Sequence, residues 1–210
     1  MPTRVVLADD HVLVRQSLRS LLEREGFQVV AEASDGQEAL RSVQSLKPDI
    51  TVMDISMPIL NGLEAARQMI LSTPQAKIIL LTQHVEEQYL SEALEAGVKG
   101  YVLKSQVASD LLQAMRQVSR GGSYLSPGVS SAVMEAYRSK SPEHKDPLTS
   151  RERQVLQLIA EGKSTKELAS VLGISTKTAE SHRTRLMQKL DIHETASLVL
   201  YAVRRGIVQP

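Results

Sequence analysis

The chain has 210 residues, 42% hydrophobic and 23% charged, the balance of a globular protein long enough for two cores. It contains no cysteine, which excludes disulfides, thiolate zinc sites and cysteine nucleophiles. Its net charge of +1 hides an asymmetry: Lys and Arg against Asp and Glu number 12 to 15 over residues 1–120 and 13 to 9 over 121–210. A mildly acidic front half and a basic back half suggest two jobs, the second suited to a polyanion.

From Arg4 to about Gly121, short β-rich runs alternate with amphipathic stretches. The expected strands are RVVLAD (4–9), FQVVAEA (27–33), DITVMD (49–54), KIILLT (77–82) and GYVLK (100–104). Strongly apolar strands alternating with helices predict an α/β fold: a flavodoxin-like, doubly wound, five-stranded parallel sheet covered on both faces. Such a sheet binds ligands beyond the carboxyl ends of its strands, at the switch in strand order. The segment 122–147, rich in Ser, Pro and charge, reads as a linker with a short helix over Val129–Tyr137. Beyond it the strand signals vanish. LTSRERQVLQLIAEG opens with a capping box, Thr149 to Glu152, and stops at Gly162; STKELASVLG repeats the pattern from Ser164 to Glu167 and Gly173. STKTAESHRTRLMQKL and ETASLVLYAVRRG complete a small all-α, four-helix domain over 148–210. The two helices joined through LGIS have the helix-turn-helix pattern. Ile78-Ile79-Leu80-Leu81 and its like are too short to span a bilayer, and the opening MPTRVVLADDH lacks the apolar core of a signal peptide. A cytoplasmic protein with no membrane partner is expected.

Strand ends carry the chemistry. Asp9 and Asp10 follow the first strand and Asp54 ends the third; these strands are neighbours in a doubly wound sheet, so three carboxylates converge. Their mutual repulsion calls for a hard divalent cation such as Mg²⁺. Thr82, ending the fourth strand, adds a hydroxyl, and Lys104, ending the fifth, adds an amine. Together they suit a tetrahedral anion, with Asp54 the nucleophile that accepts a phosphoryl group. Metal, Lys104 and Thr82 would then neutralise and hold the transferred charge. Singly the residues mean less: Asp9-Asp10 reads equally well as a helix cap, Asp54 as a turn acid before Pro58, and Lys104 as a solvated charge.

Asp9-Asp10, MDISMP with Asn61-Gly62, Leu81-Thr82 and GYVLK together resemble the receiver domain of bacterial two-component response regulators, over about residues 1–121. The resemblance implies that Asp54 is the phosphoacceptor, supplied by a sensor histidine kinase. It puts Asp10, Asp54 and the main-chain carbonyl of Ser56 on Mg²⁺, with Asp9 close by. It also makes Thr82 and Tyr101 a switch pair, the tyrosine turning inward behind the threonine. Ser56 and His84 occupy positions that tune phosphoryl lifetime in that family. Two positions depart from its pattern: Ser105 stands where a proline after a cis peptide is frequent, and Gln83 where many members carry a smaller residue.

In STKTAESHRTRLMQKL, Ala179, His182, Leu186 and Leu190 fall on one helical face and Lys177, Glu180, Ser181, Thr184, Arg185 and Gln188 on the other. The outer face mixes cations with short hydrogen-bonding side chains, suiting phosphates and base edges; a merely solvated helix reads similarly. With the preceding helices it resembles the LuxR-type helix-turn-helix, making the chain similar to NarL/FixJ-type response regulators. That resemblance implies double-stranded promoter DNA as partner, with Glu180, Ser181 and Thr184 reading bases. Lys166, Lys177, Thr178, Arg183, Arg185 and Lys189 would mostly bind phosphate. It further implies a homodimer in the active form, through the last helix, with RNA polymerase a further candidate partner. Ala179 and Glu180 stand where that family often carries valine and lysine.

The expected function is a phosphorylation-dependent DNA-binding transcription regulator, not an enzyme. One rival is a phosphohydrolase with an aspartyl-phosphate intermediate, but that chemistry wants an acid two residues after the nucleophile, where this chain has Ser56. A second rival is a back domain that binds protein rather than DNA.

Overall fold

The computed structural model describes residues 1–83, 87–130 and 147–208, with the backbone alone for 87–89 and 106–107. The chain divides into two compact units, Met1–Glu143 and His144–Pro210.

In the first unit, strands β1 (Arg4–Ala8), β2 (Gln28–Ala33), β3 (Ile50–Asp54), β4 (Ile78–Thr82), β5 (Gly100–Leu103) and β6 (Tyr124–Leu125) form one parallel sheet in the order β2-β1-β3-β4-β5-β6. Helices α1 (Val12–Arg24), α2 (Gly36–Leu46), α3 (Gly62–Ser72), α4 (Glu87–Ala96) and α5 (Val107–Ser119) cover both faces. Although the central strands are mostly apolar, side-chain alternation divides them between two cores. Val5, Leu7, Ile50, Val52, Ile79, Leu81 and Val102 meet Leu18 and Leu22 of α1 and Leu111 and Met115 of α5. Val6, Ala8, Met53, Ile78, Leu80 and Tyr101 meet α2, α3 and α4 through Val43, Met69 and Leu90. Burial on both faces removes any need for a polar side, which is why these strands read as near-continuous apolar runs.

Among the described residues the sheet has six strands, not the expected five. Tyr124 and Leu125 pair with Gly100 and Tyr101 along the outer edge of β5. Two residues after a Gly-Gly-Ser run are too few to show a period, so β6 left no signal in the sequence. The chain is tied further by Ser126, whose N–H donates to the Tyr101 carbonyl at 3.0 Å. Pro127, lacking an N–H, ends the pairing, and 127–130 turn into helix. The segment 122–147 therefore begins as part of the first unit. Most of the expected helix Val129–Tyr137, and the connector up to residue 146, lie outside the described residues, as does His84.

The second unit contains α6 (Ser150–Ala160), α7 (Thr165–Leu172), α8 (Thr176–Leu190) and α9 (Thr195–Arg204). Both capping boxes form: Thr149 with Glu152, and Ser164 with Glu167. Gly173 takes the left-handed conformation (φ +64°) that ends α7, and Ser175 then caps α8 through its hydroxyl. Arg151 of α6 donates to the Leu172 carbonyl at 3.3 Å, satisfying one of the exposed carbonyls at the end of α7. Val155, Leu158, Leu168, Ala179, Leu186, Leu198 and Ala202 form the core. No helix among the described residues is long and apolar enough to cross a membrane.

Candidate functional site

The strand order reverses at β1, which pairs with β2 on one side and β3 on the other. Asp9 leaves the end of β1 and Asp54 closes β3, so both enter the crevice that such a reversal opens. Asp9 is fully buried and Asp54 is 3% exposed. Lys104, at the end of β5, reaches across the strand ends: its Nζ lies 2.8 Å from Asp9 Oδ2 and 2.8 Å from Asp54 Oδ2. Burial pushes the Asp54 carboxyl above the usual carboxylate range, against the opposing pull of the Lys104 ammonium. Burial acts to lower the Lys104 ammonium in turn, but Asp54 and Asp9 outweigh it and hold the group above its ordinary value.

The loop after β3 folds back over Asp54. Gly62 donates to the Ile55 carbonyl at 2.8 Å, and a Cβ there would collide with the Asp54 carbonyl oxygen. Only glycine allows this approach. Asn61 caps α3 by accepting the Glu64 N–H at 2.9 Å, which fixes the loop's far end.

Asp9-Asp10 does not cap α1. The cap residue is His11, without a side-chain capping bond, and Asp9 Oδ1 accepts the His11 N–H itself at 2.9 Å. Asp10 is half-exposed, with its buried Oδ1 2.8 Å from His11 Nδ1. Asp9, Asp10, His11 and Asp54 offer one ligand atom each, all within 4.8 Å of one another. Three carboxylates against one ammonium leave net negative charge, and Asp10 Oδ1 has no hydrogen-bond partner among the described residues. This donor set, oxygen-rich and short of positive charge, fits a divalent cation. His11 escaped the sequence reading; its only signal there was adjacency to the Asp pair.

Thr82 ends β4, one residue beyond Leu81, which pairs with Asp54. It continues the alternation of Ile78 and Leu80, which face the same core as Tyr101. Tyr101 is buried, its ring already directed inward. Ser56 follows Asp54 by two residues, and its main-chain amide helps hold the Asp54 carboxylate. Lys104–Gln106 forms a 3₁₀ turn, and every peptide bond among the described residues, including that to Ser105, is trans.

In the second unit the helical wheel sorts as its spacing predicts: Ala179 and Leu186 are buried and His182 and Leu190 half-buried. Lys177, Thr178, Glu180, Ser181, Thr184 and Arg185 stand exposed on α8, as does Lys166 on α7. Two cations have work inside the domain. Arg183, half-buried, donates to Thr195 Oγ1 at 2.6 Å, joining α8 to α9. Lys189 Nζ lies 2.7 Å from Glu152 Oε2, joining the end of α8 to the start of α6.

Residues 5–116 match the response regulator receiver domain family, and residues 146–202 match the luxR family of bacterial regulatory proteins. The chain is a response regulator. Among its relatives is the transcriptional regulatory protein MctR of Rhizobium johnstonii, 39% identical over 206 residues, covering 98% of this chain and 95% of that one. The response regulator protein VraR of Staphylococcus aureus is 36% identical over the full length of both. Among solved structures, this response regulator resembles the RcsB–DNA complex at 29% identity and TM-score 0.61, covering 96% of this chain and 98% of that one. The comparisons and the fold agree: this is a NarL/FixJ-type response regulator, a parallel α/β receiver followed by a helical LuxR-type DNA-binding domain.

Proposed function

We propose that the protein is switched by a phosphoryl group on Asp54, donated by a sensor histidine kinase, and that the switch controls its affinity for promoter DNA. A carboxylate oxygen of Asp54 attacks the phosphorus of a phosphohistidine. The P–N bond breaks, the imidazole nitrogen leaves with the electron pair and takes up a proton, and Asp54 becomes an acyl phosphate. Lys104 meets the negative charge that arrives, and the Thr82 hydroxyl donates to a phosphoryl oxygen while Tyr101 packs behind it. Asp9, Asp10, Asp54 and the Ser56 carbonyl would hold Mg²⁺, which when bound supplies positive charge opposite the transferring oxygens. The observation that carries this reading is the double contact of Lys104 Nζ with two buried carboxylates, 2.8 Å from each.

The chain then works as residues 1–121, receiver; 122–147, linker; and 148–210, DNA-binding domain. On DNA, Glu180, Ser181 and Thr184 read base edges, while Lys166, Lys177, Thr178, Arg183, Arg185 and Lys189 bind phosphate. The active form is a homodimer on an inverted or direct repeat, with RNA polymerase as a further partner. We place it in the cytoplasm, where kinase output and DNA meet. It is a regulator rather than a phosphohydrolase because Ser56 offers no acid to protonate a leaving group.

The test compares DNA affinity before and after treatment with acetyl phosphate and Mg²⁺, in the wild type and in Asp54→Asn. The wild type gains affinity and Asp54→Asn does not. A donor-dependent gain in Asp54→Asn would remove Asp54 from the switch.

A further inference from the structure

His11 stands inside the cluster that fits a cation, yet the acceptor chemistry above gives it no role. Lys104 takes Oδ2 of both Asp9 and Asp54. The Oδ1 atoms of Asp9 and Asp10 lie instead by the His11 ring, 3.5 Å and 2.8 Å from its Nδ1. The shorter contact is a direct N···O approach, which a protonated ring would close as an ion pair and a ring with its proton on Nε2 leaves open to a cation. With its proton on Nε2 the ring turns a lone pair toward these oxygens, and a cation shared among them removes their repulsion. Adjacent ligands on a six-coordinate cation with bonds of about 2.1 Å stand about 3 Å apart, close to this spacing. The imidazole is 60% exposed, so it can turn without disturbing a core.

We propose that His11 Nδ1 is a ligand of the divalent cation, next to Asp10 Oδ1. This rests on the reading that the Asp cluster binds a metal, and it deepens it. One imidazole among carboxylates shifts the preference of the site. Oxygen-only sets suit Mg²⁺, whereas nitrogen raises the affinity for first-row transition ions. The site therefore favours Mn²⁺ and its heavier neighbours over Mg²⁺ by more than its carboxylates alone would give. Nδ1 ligates as the neutral ring with its proton on Nε2.

The test uses Mn²⁺ as probe on the full chain, read by pulsed electron paramagnetic resonance for coupling to a directly bound ¹⁴N, with the free-ion signal giving affinity. Wild type shows the ¹⁴N coupling and His11→Gln loses it. The same change weakens Mn²⁺ by at least about tenfold, the loss typical of removing even an outer-shell partner, while Mg²⁺ affinity moves far less. His11→Asp returns an oxygen ligand, so it recovers Mn²⁺ affinity without the ¹⁴N signal and shows the loss is not misfolding. Mn²⁺ bound in an Asp54-dependent way with no ¹⁴N coupling, or with coupling that survives in His11→Gln, overturns the role of His11 and leaves the metal-binding reading standing. No Mn²⁺ bound by the wild type overturns both.

Discussion

Leu103 donates its N–H to the hydroxyl oxygen of Ser126 at 3.2 Å, a side chain taking the place of a strand partner. Ser126 is fully buried, and its own N–H goes to the Tyr101 carbonyl. The chain leaving the receiver is thus fastened to β5, the strand that carries Tyr101 and runs directly into Lys104. Tyr124 and Leu125, just before Ser126, pair with Gly100 and Tyr101, so the exit segment is held along the whole edge of β5.

Ser126→Ala leaves the Leu103 N–H without its partner. The loss of one such bond costs about 1–2 kcal/mol. Urea denaturation measures it, and amide exchange at Leu103 should quicken more than at Val102. An unchanged midpoint would mean that water or a neighbour replaces the hydroxyl.

Asp54→Asn should stabilise the metal-free protein at neutral pH. The folded Asp54 carboxyl titrates above its ordinary value of 3.8, burial being the main cause. Its protonated form is therefore favoured by folding: that contribution is fully present below pH 3.8 and is lost as pH rises through the raised value. Above that window the wild type carries a buried charge that asparagine removes. The advantage of Asp54→Asn shrinks on acidification and again when Mg²⁺ is added, as thermal melts across pH would record.

Glu152 titrates the other way. Burial acts to raise it, but Lys189 and Thr149 outweigh burial and lower it from 4.5. Its stabilisation is present above pH 4.5 and is lost as pH falls through the lowered value. Glu152→Ala removes the capping box of α6 and the tie to α8 together, at a cost of about 1 kcal/mol or somewhat more. Guanidinium unfolding of the full chain, followed through its second-unit signals, checks it. The same change frees Lys189 for phosphate and so should tighten DNA binding.

Arg185→Ala should weaken binding to all duplexes alike and reduce the slope of log K against log salt by about one. Substituting Glu180 should instead change which duplex is preferred, by about 1–3 kcal/mol at one base pair. Fluorescence anisotropy over several salt concentrations separates the two behaviours. A salt-insensitive interaction would favour a protein partner for this domain.

Much of this was legible in the sequence because it followed from local rules. Five apolar runs marked five strands, four of them ending in Asp, Thr or Lys, and convergence of strand ends set Lys104 Nζ 2.8 Å from the carboxylates of both Asp9 and Asp54. Thr149, Ser164 and Gly173 marked helix ends through capping chemistry that needs only a few neighbouring residues. What stayed hidden depended on partners distant in the chain or on single-residue geometry. Strand β6 exists because β5 has an open edge. The pairings of Glu152 with Lys189 and Arg183 with Thr195 depend on how helices pack. The place of His11 depends on the turn after β1, which neither period nor spacing encodes.

The most direct measurement treats the full chain with acetyl phosphate and Mg²⁺, reduces the acyl phosphate with borohydride, and locates the resulting homoserine by peptide mass spectrometry. The account predicts modification at Asp54 alone, sharply diminished in Lys104→Ala. Modification at Asp9, Asp10 or elsewhere with Asp54 untouched would contradict it.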